Sequence, residues 1–488
     1  MRRICGPISC FLLLLTGCTA GPNYHRPDVT LAPAWKEQAP WRVASPQDSI
    51  PKGNWWTIFG DGELSQYEAQ ALKANQNIEV ARNQLDQARA SARITQSGLF
   101  PQMSAAVSGQ RARISANQPT SSGIPLKTAV TQNVFTIPFN LSWEPDVFGG
   151  VRRSVESAAA DYQATAAALE NVRLVITAEL AVDYFNLREL DAEIAVVNSA
   201  LQYQEKALQL VQNRHAGGIA SGLDVAQQET QLNATRTQDT LLRRQRAQFE
   251  HAIAALTGIP ASSFSIPAKP LALVPPEIPQ GVPSDVLERR PDIAQAERQM
   301  AAQNAQIGVA KSAFFPSVGI NAAAGFLSGE LGVILNAPSG FWALGANVTE
   351  AIFTGGRRRA QVDFAQSAYG ASVAGYRQSV LNAFEEVEDN LSALDVLAQA
   401  AETQQQAVEA AQRALKIATE RYTGGLVSYL DVVTAEQTLL DNQRLAVQLL
   451  GQRLVTSVGL IKALGGGWDA ASLQAIQVRP GAKQAIEP

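Results

Sequence analysis

The chain has 488 residues, of which 46% are hydrophobic and 17% are charged, and its formal net charge is −4. This length allows two or three domains with a substantial core, and this apolar content excludes a chain that is disordered throughout. The mildly acidic balance argues against nucleic acid as a partner.

The first 17 residues have the pattern of an export signal rather than of a folded element. A basic start, "MRR", precedes the apolar stretch "ISCFLLLL", which is too short to span a bilayer. The sequence "LTGC" then ends at Cys18 and resembles a bacterial lipobox, in which the cysteine is acylated and becomes the first mature residue. We therefore expect residues 1–17 to be removed and Cys18 to carry lipid; the alternative is a plain secretory signal. Cys5 and Cys10 lie within the signal, so the mature chain would contain no disulfide.

The mature chain contains two copies of one unit. The phrase "RHAGGIASGLDV" from Arg214 returns 207 residues later as "RYTGGLVSYLDV" from Arg421. Residues 72–101 also align with residues 287–316 without a gap, which indicates an internal duplication. The predicted boundaries are an extended N-terminal segment at 18–60, repeat 1 at 61–258, a Pro-rich linker at 259–291, repeat 2 at 292–464 and a tail at 465–488.

Each copy has the same predicted order of elements: a helix, a strand pair, a very long helix, a Gly-Gly turn and a returning helix. Residues 151–216, which directly precede the first Gly-Gly turn, contain neither Pro nor Gly and are rich in good helix formers. About 60 helical residues extend roughly 90 Å, which is more than a globular core requires. In repeat 2 a coiled-coil seam runs from Val387 to Tyr422, with many small and polar members. From the helices alone, an ordinary antiparallel coiled coil explains this pattern equally well.

The strand pairs, at about 101–146 and 317–354, separate these alternatives. "FTIPFNLSW" and "WALGANV" alternate between an apolar face and a face of small or polar residues. This period of two fits either a sandwich strand over a core or an outer-membrane barrel strand over lipid. The aromatic content and the length near ten residues favour the barrel. The residues predicted to face lipid are Phe135, Ile137, Phe139, Leu141, Trp143, Trp342, Leu344 and Val348.

The number of strands predicts the assembly. Four strands in one chain cannot close a barrel around a lumen, and an open sheet edge in lipid leaves backbone groups without hydrogen bonds. Three chains supply twelve strands, so we predict a homotrimer. The predicted fold class is an α+β membrane protein, in which a trimeric twelve-stranded β-barrel with four strands per chain continues into a long α-helical coiled-coil periplasmic tunnel.

The repeated phrase marks the reversal of each long helix. Gly217-Gly218 and Gly424-Gly425 are expected to supply the positive φ angles that a tight turn between helices needs. Asp224 and Asp431 follow a few residues into the returning helices, where the helix dipole is a sufficient reason for an acidic residue. If the tips of three chains converge on one axis, however, one carboxylate per chain becomes a ring of three, which attracts cations and can act as a gate.

The order of these motifs resembles the TolC/OprM-like outer-membrane efflux proteins, and most closely their lipoprotein, NodT-like branch. The residues that carry the resemblance are the lipobox, "NWWTIFGDGEL" from Asn54, "FGG" from Phe148, "LERRPDI" from Leu287, "FTGGRRR" from Phe353 and the two Gly-Gly turns. Thr19, where an inner-membrane retention signal usually has Asp, indicates the outer membrane by the same resemblance. The resemblance implies a lipid-anchored trimer that serves as a passive duct, together with a periplasmic adaptor protein and an inner-membrane pump of the RND type.

The resemblance also implies roles for residues near the turns. Leu430 matches an apolar constriction position, Asp431 matches an aspartate of the periplasmic aperture, and Thr434 falls where many relatives carry a second acid. Tyr422 matches a tyrosine that ties the inner hairpin shut, with Asp224 as its expected partner. The tips that resemble adaptor-docking surfaces are Gly217, Gly218, Ile219, Gly424, Gly425 and Leu426.

The sequence does not indicate an enzyme. His25, His215 and His251 are scattered without metal-ligand spacing, so we expect no metal or other cofactor apart from the lipid on Cys18. The energy for transport would then come from the pump. Two alternatives remain open: the outer-membrane duct of a type I protein secretion system, and a structural or tethering coiled-coil lipoprotein without a pore.

Overall fold

The computed structural model describes residues 19–27, 54–117, 128–269, 271, 274–276, 278 and 289–466. The predicted signal at 1–17, Cys18, most of the segment 18–60, part of the linker and the tail beyond residue 466 lie outside the described residues.

The α-helices of the described chain include two matching sets of three, with α1 as an additional helix. They are α1 (Gly62–Ala74), α2 (Gln76–Ser97), α3 (Gly150–Ala216), α4 (Gly222–Leu256), α5 (Pro291–Ser312), α6 (Arg357–Thr423) and α7 (Tyr429–Ala463). The helices α3 and α6 both have 67 residues, α4 and α7 both have 35, and α2 and α5 both have 22. At 1.5 Å per residue the two longest helices are rods of about 100 Å. Within the described residues, none of these helices combines the length and the hydrophobicity that a membrane crossing requires.

The strands form one antiparallel sheet. They are β1 (Gln102–Ala105), β2 (Ser108–Ile114), β3 (Val130–Trp143), β4 (Ser317–Ser328) and β5 (Gly340–Thr349). Both β1 and β2 pair with β3, β3 pairs with β4, and β4 pairs with β5, so the sheet joins the two repeats through its central strands. Among the described residues, neither β5 nor the outer edge of β1 and β2 has a further partner strand.

The two short strands β1 and β2 are one strand with a gap. Their registers against β3 are continuous, and the gap at Ala106 and Val107 lies opposite Pro138 and Ile137. The N–H of Ala106 still donates to the carbonyl of Pro138 at 3.2 Å, but a proline has no N–H to return the bond. The sheet therefore has four geometrical strands, as the sequence predicted.

The main core lies beside the middle of the long helices, where the "NWWTIF" segment packs. Trp55 and Phe59 are buried in it, and the Phe59 ring lies 4.8 Å from the ring of Phe185 on α3. Asp61 then caps α1 by accepting from the N–H of Glu63 at 2.8 Å, and it also accepts from the Tyr184 hydroxyl at 2.8 Å. The "GDGEL" part of the motif is thus a helix start that is fixed to the rod.

Buried ion pairs fasten the linker to repeat 1. The guanidinium groups of Arg188 and Arg246 donate to the carbonyls of Pro267 and Ile266, at 2.8 and 2.6 Å. Asp191 lies between the two arginines, 2.8 Å from Arg188 and 2.6 Å from Arg246. Charges of this kind are tolerated inside a protein when each has a partner.

Candidate functional site

The two helical hairpins, hairpin 1 (α3 and α4) and hairpin 2 (α6 and α7), end in the same turn. In hairpin 1 the N–H groups of Gly218 and Ile219 donate to carbonyls of the last helical turn at 2.9 and 2.8 Å. In hairpin 2 the N–H groups of Gly425 and Leu426 make the equivalent bonds at 3.0 and 2.9 Å. This pair of bonds is the Schellman motif, which satisfies carbonyls that the end of a helix leaves open.

Only the second glycine of each pair has a positive φ angle. The angle is +76° at Gly218 and +73° at Gly425, whereas it is −81° at Gly217 and −79° at Gly424. The prediction that both glycines of each pair supply positive φ angles is therefore wrong for the first glycine. Its backbone lies in a region that other residues adopt, so only the second position requires glycine.

A second shared motif starts each returning helix. At α4 the Ser221 hydroxyl accepts from the N–H of Asp224 at 3.2 Å, and the Asp224 carboxylate accepts from the N–H of Ser221 at 3.1 Å. At α7 the Asp431 carboxylate accepts from the N–H and from the hydroxyl of Ser428, at 3.0 and 2.8 Å. Both aspartates thus fix the start of a helix. The two serines escaped prediction, although the spacing Ser-x-x-Asp that signals such a cap is present in both copies.

The tips of both hairpins present apolar side chains to solvent. Ile219 and Leu426 are each 72% exposed. A Cβ added to Gly218 or Gly425 would meet no atom within 4 Å, so the backbone of both turns is accessible as well. Exposed apolar groups at the end of a rod favour a contact surface for another protein. The docking role of these tips stays a prediction.

The predicted gate residues lie in the first two turns of α7. Leu430 is 55% exposed, and Asp431 and Thr434 are exposed too. The Thr434 hydroxyl donates to the carbonyl of Leu430 at 2.8 Å, which places the two residues one turn apart on the same helix face. The arrangement of these residues around a threefold axis stays a prediction.

Tyr422 lies at the end of α6, beneath the tip of hairpin 2. Its ring is 4.9 Å from the ring of Tyr429, and the Arg214 guanidinium lies 5.0 Å from its centre. Burial raises the pKa of the Tyr422 phenol, and the charge of Asp224 adds to that rise. The hydroxyl has no hydrogen-bond partner among the described residues, so the expected tie to Asp224 is not present as a hydrogen bond within this chain.

A different hydrogen bond joins the two hairpins, and it was not predicted. The buried Tyr429 hydroxyl donates to Oε1 of Gln228 on α4 at 2.8 Å. The Gln228 Nε2 then donates to the backbone carbonyl of Gln204 on α3 at 3.1 Å. No local pattern in the sequence signals this chain of contacts, because its members meet only after the two repeats have packed.

The register of the sheet collects the predicted lipid-facing residues on one face. Residues that are directly opposite in a ladder point to the same side, and Phe139 lies opposite Ala324, which lies opposite Trp342. Trp342 is 81% exposed and Leu344 is 72% exposed, so no described part of the chain covers this face. The predicted residues that share it are Phe135, Ile137, Phe139, Leu141, Trp143, Trp342, Leu344 and Val348.

The opposite face of the sheet is polar. Asn321 Nδ2 donates to Oδ1 of Asn347 at 3.0 Å across β4 and β5. Asn140 and Ser142 on β3 point to the same side, because Ser142 lies opposite Asn321. One face suited to hydrocarbon and one face suited to water is the pattern of a barrel wall around an aqueous lumen.

Comparison with known proteins identifies the fold. The sequence profile of the family "Outer membrane efflux protein" matches residues 69–259 and 282–466. The chain belongs to this family. This match confirms the resemblance to outer-membrane efflux proteins that the repeated motifs of the sequence indicated.

Two relatives of this efflux protein are outer-membrane proteins that are named for efflux or export. It is 33% identical over 472 residues to the toluene efflux pump outer membrane protein TtgC of Pseudomonas putida, covering 95% of this chain and 96% of the relative. It is 32% identical to the pyoverdine export outer membrane protein OpmQ of Pseudomonas aeruginosa, covering 94% of this chain and 96% of the relative.

Solved channels have the same fold as this efflux protein. The outer-membrane channel OprN, at 29% identity, matches with a TM-score of 0.85 over 92% of this chain and 100% of its own. The Campylobacter jejuni CmeC channel, at 26% identity, matches with a TM-score of 0.87 over 94% of this chain and 97% of its own. The predicted fold class and the predicted location, the outer membrane with an extension into the periplasm, are confirmed.

As a member of this family, the protein is an outer-membrane channel. The described residues contain no candidate metal centre. Among the described residues, no group of three or more His, Cys, Asp or Glu side chains could hold a metal ion. The chemistry of the hairpin tips is that of caps, apolar contacts and carboxylates.

Proposed function

We propose that this protein is the passive exit duct of a tripartite efflux system, and that it carries small molecules handed over by an inner-membrane pump through a periplasmic adaptor. The observation that carries this proposal is the sheet of one chain, which, among the described residues, has an uncovered apolar face, a polar face and two edges without a partner strand. A sheet of this kind is stable in lipid only when it closes with other copies. A tethering coiled coil without a pore would not need it.

Closure by three chains gives twelve strands around a lumen that side chains do not fill. In this homotrimer, β5 of one protomer pairs with the open edge of β1 and β2 of its partner. The long helices of hairpins 1 and 2 then continue the wall as a tunnel of about 100 Å.

A lipid on Cys18 anchors the trimer beside the ends of the strands. The chain directly after Cys18 lies where the sheet meets the helices, since the N–H of Ala20 donates to the carbonyl of Phe148 at 3.2 Å. A Cβ added to Gly149 would lie only 2.9 Å from the Cα of Thr19, so this glycine allows the close approach. Acyl chains attached at this level enter the bilayer next to the apolar face of the sheet.

The tips of hairpin 2 form the gate, and the tips of both hairpins receive the adaptor. Leu430, Asp431 and Thr434 are exposed on α7 beside the turn, so three copies converging on the axis form an apolar constriction and a ring of three carboxylates. The exposed Ile219 and Leu426, with the glycine backbone beside them, provide surfaces into which adaptor hairpins can pack.

The protein itself does no catalysis, and the energy for export comes from a pump of the RND type. Relatives are named for toluene, antibiotic and pyoverdine export, and these cargoes are small molecules. Small molecules are therefore the proposed substrates, rather than secreted proteins.

Conductance through a planar bilayer tests the duct. The purified, lipidated protein should elute as a trimer and give stepwise ion currents, whereas a tether passes no ions. Deletion of the gene should make the cell accumulate dyes and become sensitive to solvents and antibiotics, and the wild-type copy should restore resistance. A monomer in detergent, or a trimer without conductance under any gating condition, would overturn the proposal.

A further inference from the structure

A buried seam of polar residues lies between hairpins 1 and 2, a short way from the tips. It consists of Gln204 on α3, Gln228 on α4, and Tyr429 and Glu436 on α7. The hydrogen bonds from Tyr429 to Gln228 and from Gln228 to Gln204 cross it, and we call these four residues the hairpin seam.

Glu436 is the unusual member of the hairpin seam. It is only 4% exposed, and neither of its carboxyl oxygens has a hydrogen-bond partner among the described residues. The side-chain Oε1 of Gln204, on α3, also has no hydrogen-bond partner among the described residues. An ionised carboxylate in such a place loses its hydration without compensation, whereas a neutral carboxyl carries a proton that it can donate to an open acceptor.

The surroundings of Glu436 favour the neutral form. Burial raises the pKa of the Glu436 carboxyl to about 7, and the nearby Gln228 amide, whose Nε2 donates to the Gln204 carbonyl, lowers it by less. No ion pair links Glu436 to a cation within the described part of the chain. The Arg214 guanidinium of α3 lies over the Tyr422 ring instead. The titratable groups that act on Tyr429 of the seam include Tyr203 on α3, Asp224 on α4 and Tyr422 on α6, and Asp431 lies two residues further along α7. The exposed Glu205 on α3, next to Gln204, pairs with Arg236 on α4 at 2.9 Å.

We propose that Glu436 is a proton-operated latch: its neutral carboxyl allows hairpin 2 to stay packed against hairpin 1, and loss of its proton favours movement of hairpin 2 away. This inference rests on the proposed gate, because Leu430 and Asp431 lie on the same helix and move with the latch. Gate and latch are therefore coupled through α7.

The direction of the pH effect follows from the two environments of the carboxyl. When the hairpins are packed, the pKa is about 7, and when hairpin 2 has moved away and water reaches the group, it falls towards the ordinary value of 4.5. Below pH 4.5 the carboxyl is neutral in both states, so the packed state is at its most stable. Between pH 4.5 and 7 the packed state loses stability as pH rises, by up to about tenfold in the equilibrium per pH unit and per protomer. Above pH 7 the loss is complete.

The repeat supplies a matched control. Glu229 occupies in hairpin 1 the position that Glu436 occupies in hairpin 2, 207 residues later, and it is exposed. The variant Glu436→Gln keeps the shape and removes the charge at every pH, and Glu229→Gln makes the same change on the surface. The variant Tyr429→Phe removes the hydrogen bond to Gln228 without touching the carboxyl.

The experiment measures the distance between the hairpins in the intact trimer. Spin labels are placed through Thr230→Cys and Thr438→Cys, both at exposed positions, in one protomer per trimer, and distances are recorded from pH 4.5 to 8. The wild-type and Glu229→Gln proteins should shift to longer distances as pH rises, and Glu436→Gln should stay packed throughout. Tyr429→Phe should populate longer distances at every pH but keep the pH slope.

A pH response that survives in Glu436→Gln, or one that is lost equally in Glu229→Gln, would overturn the latch. The readout does not depend on transport. Conductance recorded on the same samples distinguishes failure of the latch from failure of the duct. Currents that do not change with pH would contradict the latch alone, whereas the absence of any current would contradict the duct.

Discussion

Hairpins 1 and 2 have the same backbone architecture but differ in their side chains. Both have a 67-residue helix, a Schellman turn with one positive-φ glycine, a serine cap and a 35-residue return. Gly222 of hairpin 1, however, corresponds to Tyr429 of hairpin 2, and the exposed Glu229 corresponds to the buried Glu436. A few turn residues thus specify the scaffold, and the side chains around it are free to diverge after the duplication.

The divergence gives hairpin 2 the two residues that it contributes to the hairpin seam, Tyr429 and Glu436. Tyr429 stands where hairpin 1 has Gly222, and its hydroxyl donates to Gln228 of hairpin 1. In the proposed gate, the two copies of one hairpin have different tasks because only one of them has changed its polar contacts.

The largest effect is expected from a charge placed on both tips. Gly218→Asp with Gly425→Asp should abolish most of the export, because an unpaired carboxylate would be buried wherever an adaptor packs against the turns. Dye efflux and antibiotic resistance, at matched protein levels, measure the loss.

Asparagine at the same two positions is the control. Asn and Asp both tolerate the left-handed backbone, at a cost of roughly 1–2 kcal/mol or less, so Gly218→Asn with Gly425→Asn isolates the charge. Full export by the Asp variant would contradict the docking role of the tips. The single substitutions show whether the adaptor uses both hairpins equally.

The two capping aspartates should differ in their effect on the pore. Asp431→Asn should lower the preference for cations severalfold, because it neutralises the proposed ring, while Asp224→Asn should leave the preference unchanged. Reversal potentials under a salt gradient give this quantity. Equal effects of the two substitutions would contradict the assignment of the gate to hairpin 2.

The serine caps should have small and similar effects. Ser221→Ala and Ser428→Ala should each destabilise the start of a returning helix by about 1 kcal/mol. Hydrogen exchange of the first amides of α4 and α7 measures this. A much larger loss at Ser428 would mean that its hydroxyl contact to Asp431 stabilises more than the helix start.

The smallest effect is expected at Tyr422. Its hydroxyl is buried without a hydrogen-bond partner among the described residues, so Tyr422→Phe should leave stability unchanged or raise it by up to about 1 kcal/mol. Thermal unfolding and conductance are the measurements. If the variant were destabilised and its pore opened more often, the hydroxyl would have a partner in the assembled trimer, such as Asp224.

The sequence predicts the parts of this molecule that depend on local or periodic rules. The period of two places Phe139 and Trp342 on one face of the sheet, and the absence of Pro and Gly in residues 151–216 anticipates α3. Each signal lies within a few residues of what it specifies, so no knowledge of the packing is needed.

Contacts between the repeats were not predictable in this way. The bond from Tyr429 to Gln228 joins residues 201 positions apart, and the burial of Glu436 depends on the helices of hairpin 1. Glu436 and Glu229 occupy equivalent positions of the repeat, and it is the packing that buries one and exposes the other. The prediction for the first glycine in each turn was wrong for a related reason. Two adjacent glycines in a sequence do not reveal which of them adopts the left-handed backbone angle.

The equal lengths of α3 and α6 restrict how this protein can evolve. One residue inserted into either rod would move its tip by about 1.5 Å and rotate it by about 100°, out of level with the other tips of the ring. Insertions and deletions must therefore occur in both copies together, or in the returning helix as well, to keep the inner mouth flat. A duct of this design can be lengthened across a wider periplasm only in coordinated steps, whereas its loops and its tail can vary without such coupling.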